Sequence, residues 1–308
     1  MILCCGEALI DMIPKPTIEG PMGFVPHSGG AVFNTSIALG RLGVSAGLLS
    51  GVSRDMFGQQ LLHELAASKV DTSNIIASDR PTTLAFVKLK DGHATYSFFD
   101  ENSAGRMITP ADMPQLPDAI EAMFFGGISL ACEPGADAYA ALLDRNAKDR
   151  VVMMDPNIRP SFIQDEARYR TRLEAMIAQT DIIKVSDEDL DWILPTPVSQ
   201  EEKIQTLLDK GPTLVIITRG SEGATGYLQG GIAVTAAAQK VTVADTVGAG
   251  DTFNAGVLAK LSELGLLKKN TLKTLTKDNL NDALSFGARV AAITVSRAGA
   301  NPPWAHEL

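Results

Sequence analysis

Apolar residues in this chain recur in short bursts, each closed by a turn residue. ILCC runs up to Gly6, AGLLS to Gly51, AMFF to Gly126, VVMMD to Pro156, DIIKV to Ser186 and LVIIT to Gly220. Bursts this short that do not alternate predict strands buried on both faces, as in a parallel sheet. Between them the apolar spacing lengthens to that of a helix. Residues 32–42 predict a helix that stops at Gly43, where a left-handed C′ position suits glycine. Residues 53–69 open on Ser53-Arg54-Asp55, a capping signal, and keep Leu61, Leu62, Leu65 and Ala66 on one face. Residues 136–148 and 166–178 predict two more helices. The alternation predicts βαβ units, hence an α/β fold with a doubly wound, mostly parallel sheet and helices on both faces.

One segment departs from this pattern. Residues 82–99, TTLAFVKLKDGHATYSFF, hold two β-rich runs around Asp91-Gly92. A two-residue Asp-Gly loop signals a hairpin, because a type I′ turn needs positive φ at both central positions. A hairpin has no place inside a parallel sheet. It predicts a small antiparallel β lid, shared with residues 12–26, on a single domain spanning residues 1–308.

Composition narrows the classes of function. With 308 residues, 45% hydrophobic and 20% charged, the chain suits one large globular unit. Its net charge of −9 argues against a nucleic-acid partner, which would want a basic face. It leaves room for a local phosphate pocket, because backbone N–H groups can build one. The opening MILCCGEALIDMIP has no basic region and is interrupted by Glu7 and Asp11, so it predicts a strand and not a signal peptide. No apolar run reaches membrane-spanning length, so no membrane partner is expected. The three cysteines, two of them adjacent, form no CxxC pair, and the four histidines are scattered. A disulfide framework or zinc site is therefore not expected, and a cytoplasmic setting fits.

Four stretches carry candidate chemistry. In ADTVGAGDTFNAG, residues 244–256, small residues Gly248, Ala249 and Gly250 precede Asp251 and an apolar helical pattern. A helix beginning near Ala249 would point free N–H groups and the positive end of its dipole at an anion. Asp251 beside that hole can take a proton from an alcohol; the plainer reading is an acid complementing the dipole. Ser28-Gly29-Gly30-Ala31-Val32-Phe33-Asn34 opens another helix and admits a polyhydroxylated ligand, with Asn34 one turn in and Asp11 at the end of the first strand. Thr218-Arg219-Gly220-Ser221-Glu222-Gly223 follows a strand, where α/β sheets bind nucleotides, although neither a P-loop nor a GxGxxG fingerprint occurs. Finally, Asp155-Pro156-Asn157-Ile158-Arg159 and Lys184-Val185-Ser186-Asp187-Glu188-Asp189 stand at strand ends. There Arg159 suits phosphate oxygens, and the acid run suits Mg²⁺ or merely a solvated helix start. An anion hole, a base, a sugar-friendly Gly-Gly-Asn turn and a nucleotide turn on one sheet edge point together to phosphoryl transfer.

These motifs resemble a known family over nearly the whole chain. SGGAVFNTSIALGRLG and DTVGAGDTFNAGVLAKL are similar to the two signatures of the PfkB, or ribokinase-like, carbohydrate kinases. The resemblance implies a Rossmann-like domain with a β lid, ATP and Mg²⁺ as cofactors, K⁺ as a supporting ion, and a homodimer joined through lid positions such as Leu84, Phe86, Tyr96 and Phe98. It implies Asp251 as catalytic base, and Gly248, Ala249 and Gly250 as the anion hole. Asp11, Gly29, Gly30, Asn34 and Arg159 would meet the substrates at the sugar end. Ser186, Thr218, Gly220 and Gly223 would meet the nucleotide, Asp189 would serve Mg²⁺, and Asp245 a monovalent-cation loop. Two departures stand out: the family's Asn-x-x-Glu reads Ser186-Asp187-Glu188-Asp189 here, and Ala31 follows Gly-Gly where ribokinases often have Lys. Arg159 is the expected source of the missing charge. GEALIDMIP, YSFFDENSAGRMIT, DPNIRP and KVSDEDL look most like bacterial fructokinases. The alternatives are 2-keto-3-deoxygluconate kinase or another sugar kinase of the family, and a non-catalytic sugar- or nucleotide-binding protein. In a loose transition state the alcohol proton leaves late, so a base with an ordinary carboxylate pKa is sufficient.

Overall fold

The computed structural model describes residues 1–18, 20–90 and 93–308. Its elements run β1 (Ile2–Cys5), β2 (Leu9–Lys15), β3 (Gly23–Gly29), α1 (Ala31–Arg41), β4 (Ala46–Leu49), β5 (Gly51–Ser53), α2 (Met56–Ala67), β6 (Ile76–Ser78), β7 (Leu84–Lys90) and β8 (His93–Phe99). They continue with β9 (Ala122–Gly126), α3 (Gly135–Asn146), β10 (Val151–Asp155), α4 (Glu166–Ile177), β11 (Ile182–Ser186), α5 (Asp187–Ile193), α6 (Gln200–Lys210) and β12 (Leu214–Thr218). The last are β13 (Ala224–Leu228), β14 (Ile232–Ala236), α7 (Ala249–Glu263), α8 (Lys269–Leu272) and α9 (Lys277–Val295).

All six apolar bursts are strands of one eight-stranded sheet, in the order β14-β13-β12-β11-β10-β9-β1-β4. From β12 to β4 the pairing is parallel; β13 and β14 add an antiparallel edge that the apolar bursts did not predict. Alternation within the strands sorts the core into two halves. Ile2 and Cys4 face α1, α2, α7 and α9, while Leu3 and Cys5 face α3, α4 and α6. The parallel strands thus bury both faces, which is why their sequences do not alternate between apolar and polar. The helices fall where the period predicted them. Asp55 caps α2 by accepting from the N–H of Gly58, and Gly43 follows α1 with φ 81°.

The lid is a separate four-stranded sheet, β3-β2-β7-β8. It is not wholly antiparallel, because β2 and β7 pair in parallel, Ile10 opposite Leu84. It also begins earlier than expected. The chain breaks at Gly6 after β1, so Asp11 lies in β2 of the lid and not at the end of the first strand. The Asp91-Gly92 turn lies outside the described residues; Lys90 and His93 on its flanks pair directly. Of the apolar lid positions expected at a dimer contact, Leu84, Phe86 and Phe98 are half-buried and the Tyr96 side chain lies outside the described residues; exposed apolar side chains in the lid segments include Met22, Phe24, Val25 and Phe99. None of the described helices is long and apolar enough to cross a membrane.

Candidate active site

The C-terminal ends of β1, β9, β10 and β11 open into a cleft of about 370 Å³. It lies at the point where the sheet order reverses, with β4 on one side of β1 and β9 on the other. Glu7, Asp11, Gly30, Phe98, Asp155, Asn157, Arg159, Lys184 and residues 246–251 line it. The lid contributes Asp11 and Phe98, so this end of the cleft is a junction between the two sheets.

α7 enters this cleft N-terminus first. Its cap, Gly248, is left-handed at φ 78°, and a Cβ there would come within 2.6 Å of the Ala300 Cβ, so glycine is required on both counts. The N–H of Ala249 is taken by the Thr246 carbonyl at 3.3 Å. Those of Gly250 and Asp251 have no partner among the described residues. Of the three N–H groups expected to be free, 249 to 251, the last two are open, and the Gly248 N–H also has no partner among the described residues. Asp251 follows in the first turn, where its Oδ2 accepts from the Asn34 side-chain amide at 2.9 Å. Burial pushes its carboxyl up to about 7 against the opposing pull of Asn34. Asp155 and Glu7 add to the rise and Lys184 offsets part of it. A raised pKa was not required by the chemistry expected from the sequence, and burial supplies one here.

Beside the hole stands a cation the motifs did not single out. Lys184 stands in the middle of β11, is almost fully buried, and pairs with Asp155 Oδ2 of β10 at 2.9 Å. The same oxygen accepts from the Asn254 amide of α7 at 2.7 Å, while Asp155 Oδ1 is buried without a hydrogen bond. A Cβ on Gly250 would lie 3.4 Å from the Lys184 ammonium, so that charge adjoins the open N–H groups. The sequence signal was a lysine inside the apolar burst DIIKV. Glu7 was missed too. Its Oε1 accepts from the Ala31 N–H at 3.0 Å and its Oε2 from the Ser129 N–H at 3.3 Å, and burial raises its pKa.

The other expected residues divide. Asp11 lines the cleft, with burial raising its carboxyl to about 6. Gly29 does not line it; a Cβ there would strike Asp11 Oδ2 at 2.2 Å, so this glycine makes room for that carboxylate. Asn34 likewise lies behind the wall and holds Asp251. Arg159 is exposed at the rim and pairs with no carboxylate among the described residues. Ser186, Thr218, Gly220 and Gly223 lie outside the cleft wall, toward the outer end of the sheet edge, where Ser186 pairs with Thr218. Asp189, expected to serve Mg²⁺, is already committed. Its Oδ1 accepts from the Ile158 N–H at 3.0 Å and its Oδ2 from the Ser186 N–H at 3.3 Å, so it fixes the loop that carries Arg159. Asp245 accepts from the N–H groups of Val247 and Gly299, tying the approach to α7 to the segment after α9.

The sequence matches the family described as pfkB family carbohydrate kinase over residues 1–307. It is 51% identical over 282 residues to a fructokinase of Rhizobium leguminosarum bv. trifolii, covering 92% of this chain and 86% of that one. It is 32% identical to the fructokinase of Klebsiella pneumoniae over 85% of this chain and 84% of that one. In three dimensions it resembles the crystal structure of fructokinase with bound ATP from Xylella fastidiosa, with TM-score 0.88 and 28% identity, over 97% of this chain and 93% of that one.

Proposed function

The chain belongs to the pfkB family of carbohydrate kinases, and from that premise we propose that it is an ATP-dependent fructokinase acting on the 6-hydroxyl of D-fructose. The observation that carries the catalytic assignment is the placing of Asp251 beside open backbone donors and a buried lysine. A neutral ketose enters the lid end of the cleft, where Asp11 accepts hydrogen bonds from its hydroxyls. Its C6 oxygen faces Asp251, which accepts the proton as that oxygen bonds to the γ-phosphorus and the bond to the ADP oxygen breaks. The Gly250 and Asp251 N–H groups and Lys184 receive the charge spreading over the equatorial oxygens. Arg159 meets the phosphates from the rim, and the lid keeps bulk water from the γ-phosphoryl.

The nucleotide extends along the sheet edge toward Ser186, Thr218, Gly220 and Gly223. The described residues contain no cluster of three acid, histidine or cysteine ligands, so Mg²⁺ would arrive on the ATP phosphates. Asp155, with its unbonded Oδ1, is the carboxylate suited to that ion, which when bound would neutralise phosphate charge. The Asp245 segment would take K⁺ on its backbone carbonyls. The same reading includes a homodimer through the lid, where the expected position Phe86 is half-buried between the exposed rings of Phe24 and Phe99. A cytoplasmic setting suits the three free, buried cysteines.

A coupled ADP-release assay with Mg-ATP against fructose, ribose, tagatose, 2-keto-3-deoxygluconate and adenosine tests the function. Preference for fructose is expected. Turnover of another sugar alone would overturn the substrate, and turnover of none would overturn the kinase.

A further inference from the structure

Behind the sugar end of the cleft lies a smaller recess that shares Glu7 and Ile128 with it. Arg106 is the only cation in its wall among the described residues. An arginine there is the natural anchor for a sugar acid, because its fork can hold a carboxylate with two parallel hydrogen bonds. In this chain the fork is already engaged. One terminal nitrogen meets Asp100 Oδ1 at 3.1 Å, and Nε donates to the Glu133 carbonyl at 3.0 Å. Both side chains are close to buried, 13% and 9% exposed. The loop that carries them is pinned as well. The Arg106 N–H donates to the Ser103 hydroxyl at 3.2 Å, its carbonyl accepts from the Gly135 N–H at 2.9 Å, and the Ser103 N–H donates to the Asp100 carbonyl at 3.0 Å.

We propose that Asp100 is a specificity-determining residue: by neutralising Arg106 beside the acceptor pocket, it makes the kinase refuse sugars that carry a carboxylate. This rests on the sugar-kinase reading above. A buried ion pair is a weak source of stability, since desolvation offsets most of the attraction and apolar residues would fill the same space. Its position against the acceptor site gives it a use. A carboxylate entering this corner must displace Asp100 from Arg106 or settle beside both Asp100 and Glu7. Either course leaves like charges together out of water, whereas a neutral ketose meets neither obstacle.

The test uses the full-length protein and compares kcat/KM for 2-keto-3-deoxygluconate with that for D-fructose. In Asp100→Asn the acid-to-ketose ratio is expected to rise about tenfold or more, the scale of one charge-assisted contact freed for the ligand. Adding Arg106→Gln should abolish the gain. Thermal stabilisation by gluconate relative to fructose should follow the same order without any turnover, so failure of the kinase reading is distinguished from failure of this one. Asp100→Ser carries the same test should the Asn variant not fold. A folded Asp100 variant with an unchanged ratio, or a gain that survives Arg106→Gln, would overturn the proposal.

Discussion

Two helix N-termini face one cleft, and the chain treats them in opposite ways. At α1 two of the donors are stoppered: Glu7 gives a carboxylate oxygen to the Ala31 N–H and its backbone carbonyl to the Phe33 N–H. At α7 the Gly250 and Asp251 N–H groups are left open, with Lys184 alongside. Both helices follow a left-handed or otherwise positive-φ glycine, Gly30 at 106° and Gly248 at 78°. The local device is therefore the same, and its electrostatic fate is set by what the neighbouring strand supplies. β1 is followed by an acid and β11 carries a lysine. A neutral acceptor suits the plugged terminus, and a transferring phosphoryl group suits the open one.

The largest break in this contrast should come from Asp251→Ala. With the donors intact and the base gone, kcat should fall about 10²–10⁴-fold, the usual worth of a general base, while KM for fructose stays within a few-fold. Steady-state kinetics on both substrates checks this, and near-wild-type turnover would remove Asp251 from its role. The next effect is on the pH profile. With the Asp251 carboxyl raised to about 7, kcat/KM for fructose should drop about tenfold per pH unit below that value, and Asp251→Glu should shift the limb. The linkage to stability has the opposite sense. Between its ordinary value of 3.8 and 7, the folded chain keeps a proton that the unfolded chain has lost, so stability falls as pH rises through that window. Thermal melts of the wild type and Asp251→Asn between pH 5 and 8 should diverge, with the Asn variant the more stable at the alkaline end. The smallest effect sharpens the other terminus. Glu7→Gln removes the negative plug from α1 and should strengthen inhibition by gluconate about two- to fivefold, the range of a helix-dipole contact.

Much of this was legible before any coordinates. The six strands and the outer helices follow from period alone, because burial on both faces writes itself into an uninterrupted apolar run. The β13–β14 edge was not read, since ATGYL and IAVTA lie among glycines and mimic a loop. In the site, motif residues were found and convergence was not. Asp155, Lys184 and Asn254 come from two strands and a helix, and nothing in one dimension joins a lysine in DIIKV to an aspartate in VVMMD. Asn34 and Gly29 were placed against the sugar because their motif opens a helix; in the structure the Asn34 amide holds Asp251, and the missing side chain of Gly29 makes room for Asp11. Asp189 was assigned to a metal for its charge, and its two N–H partners come from segments 3 and 31 residues away.

The Asn34–Asp251 hydrogen bond joins residues 217 positions apart. During synthesis the chain emerges from its N-terminus, so Glu7, Asp11, Asn34 and the whole parallel sheet are made while α7 is still to come. On the proposed roles, a partly made chain can thus have its sugar pocket and lack its base. Phosphate transfer would then become available only when the segment from α7 onward docks against the first helix, and catalytic activity would report that the fold is finished.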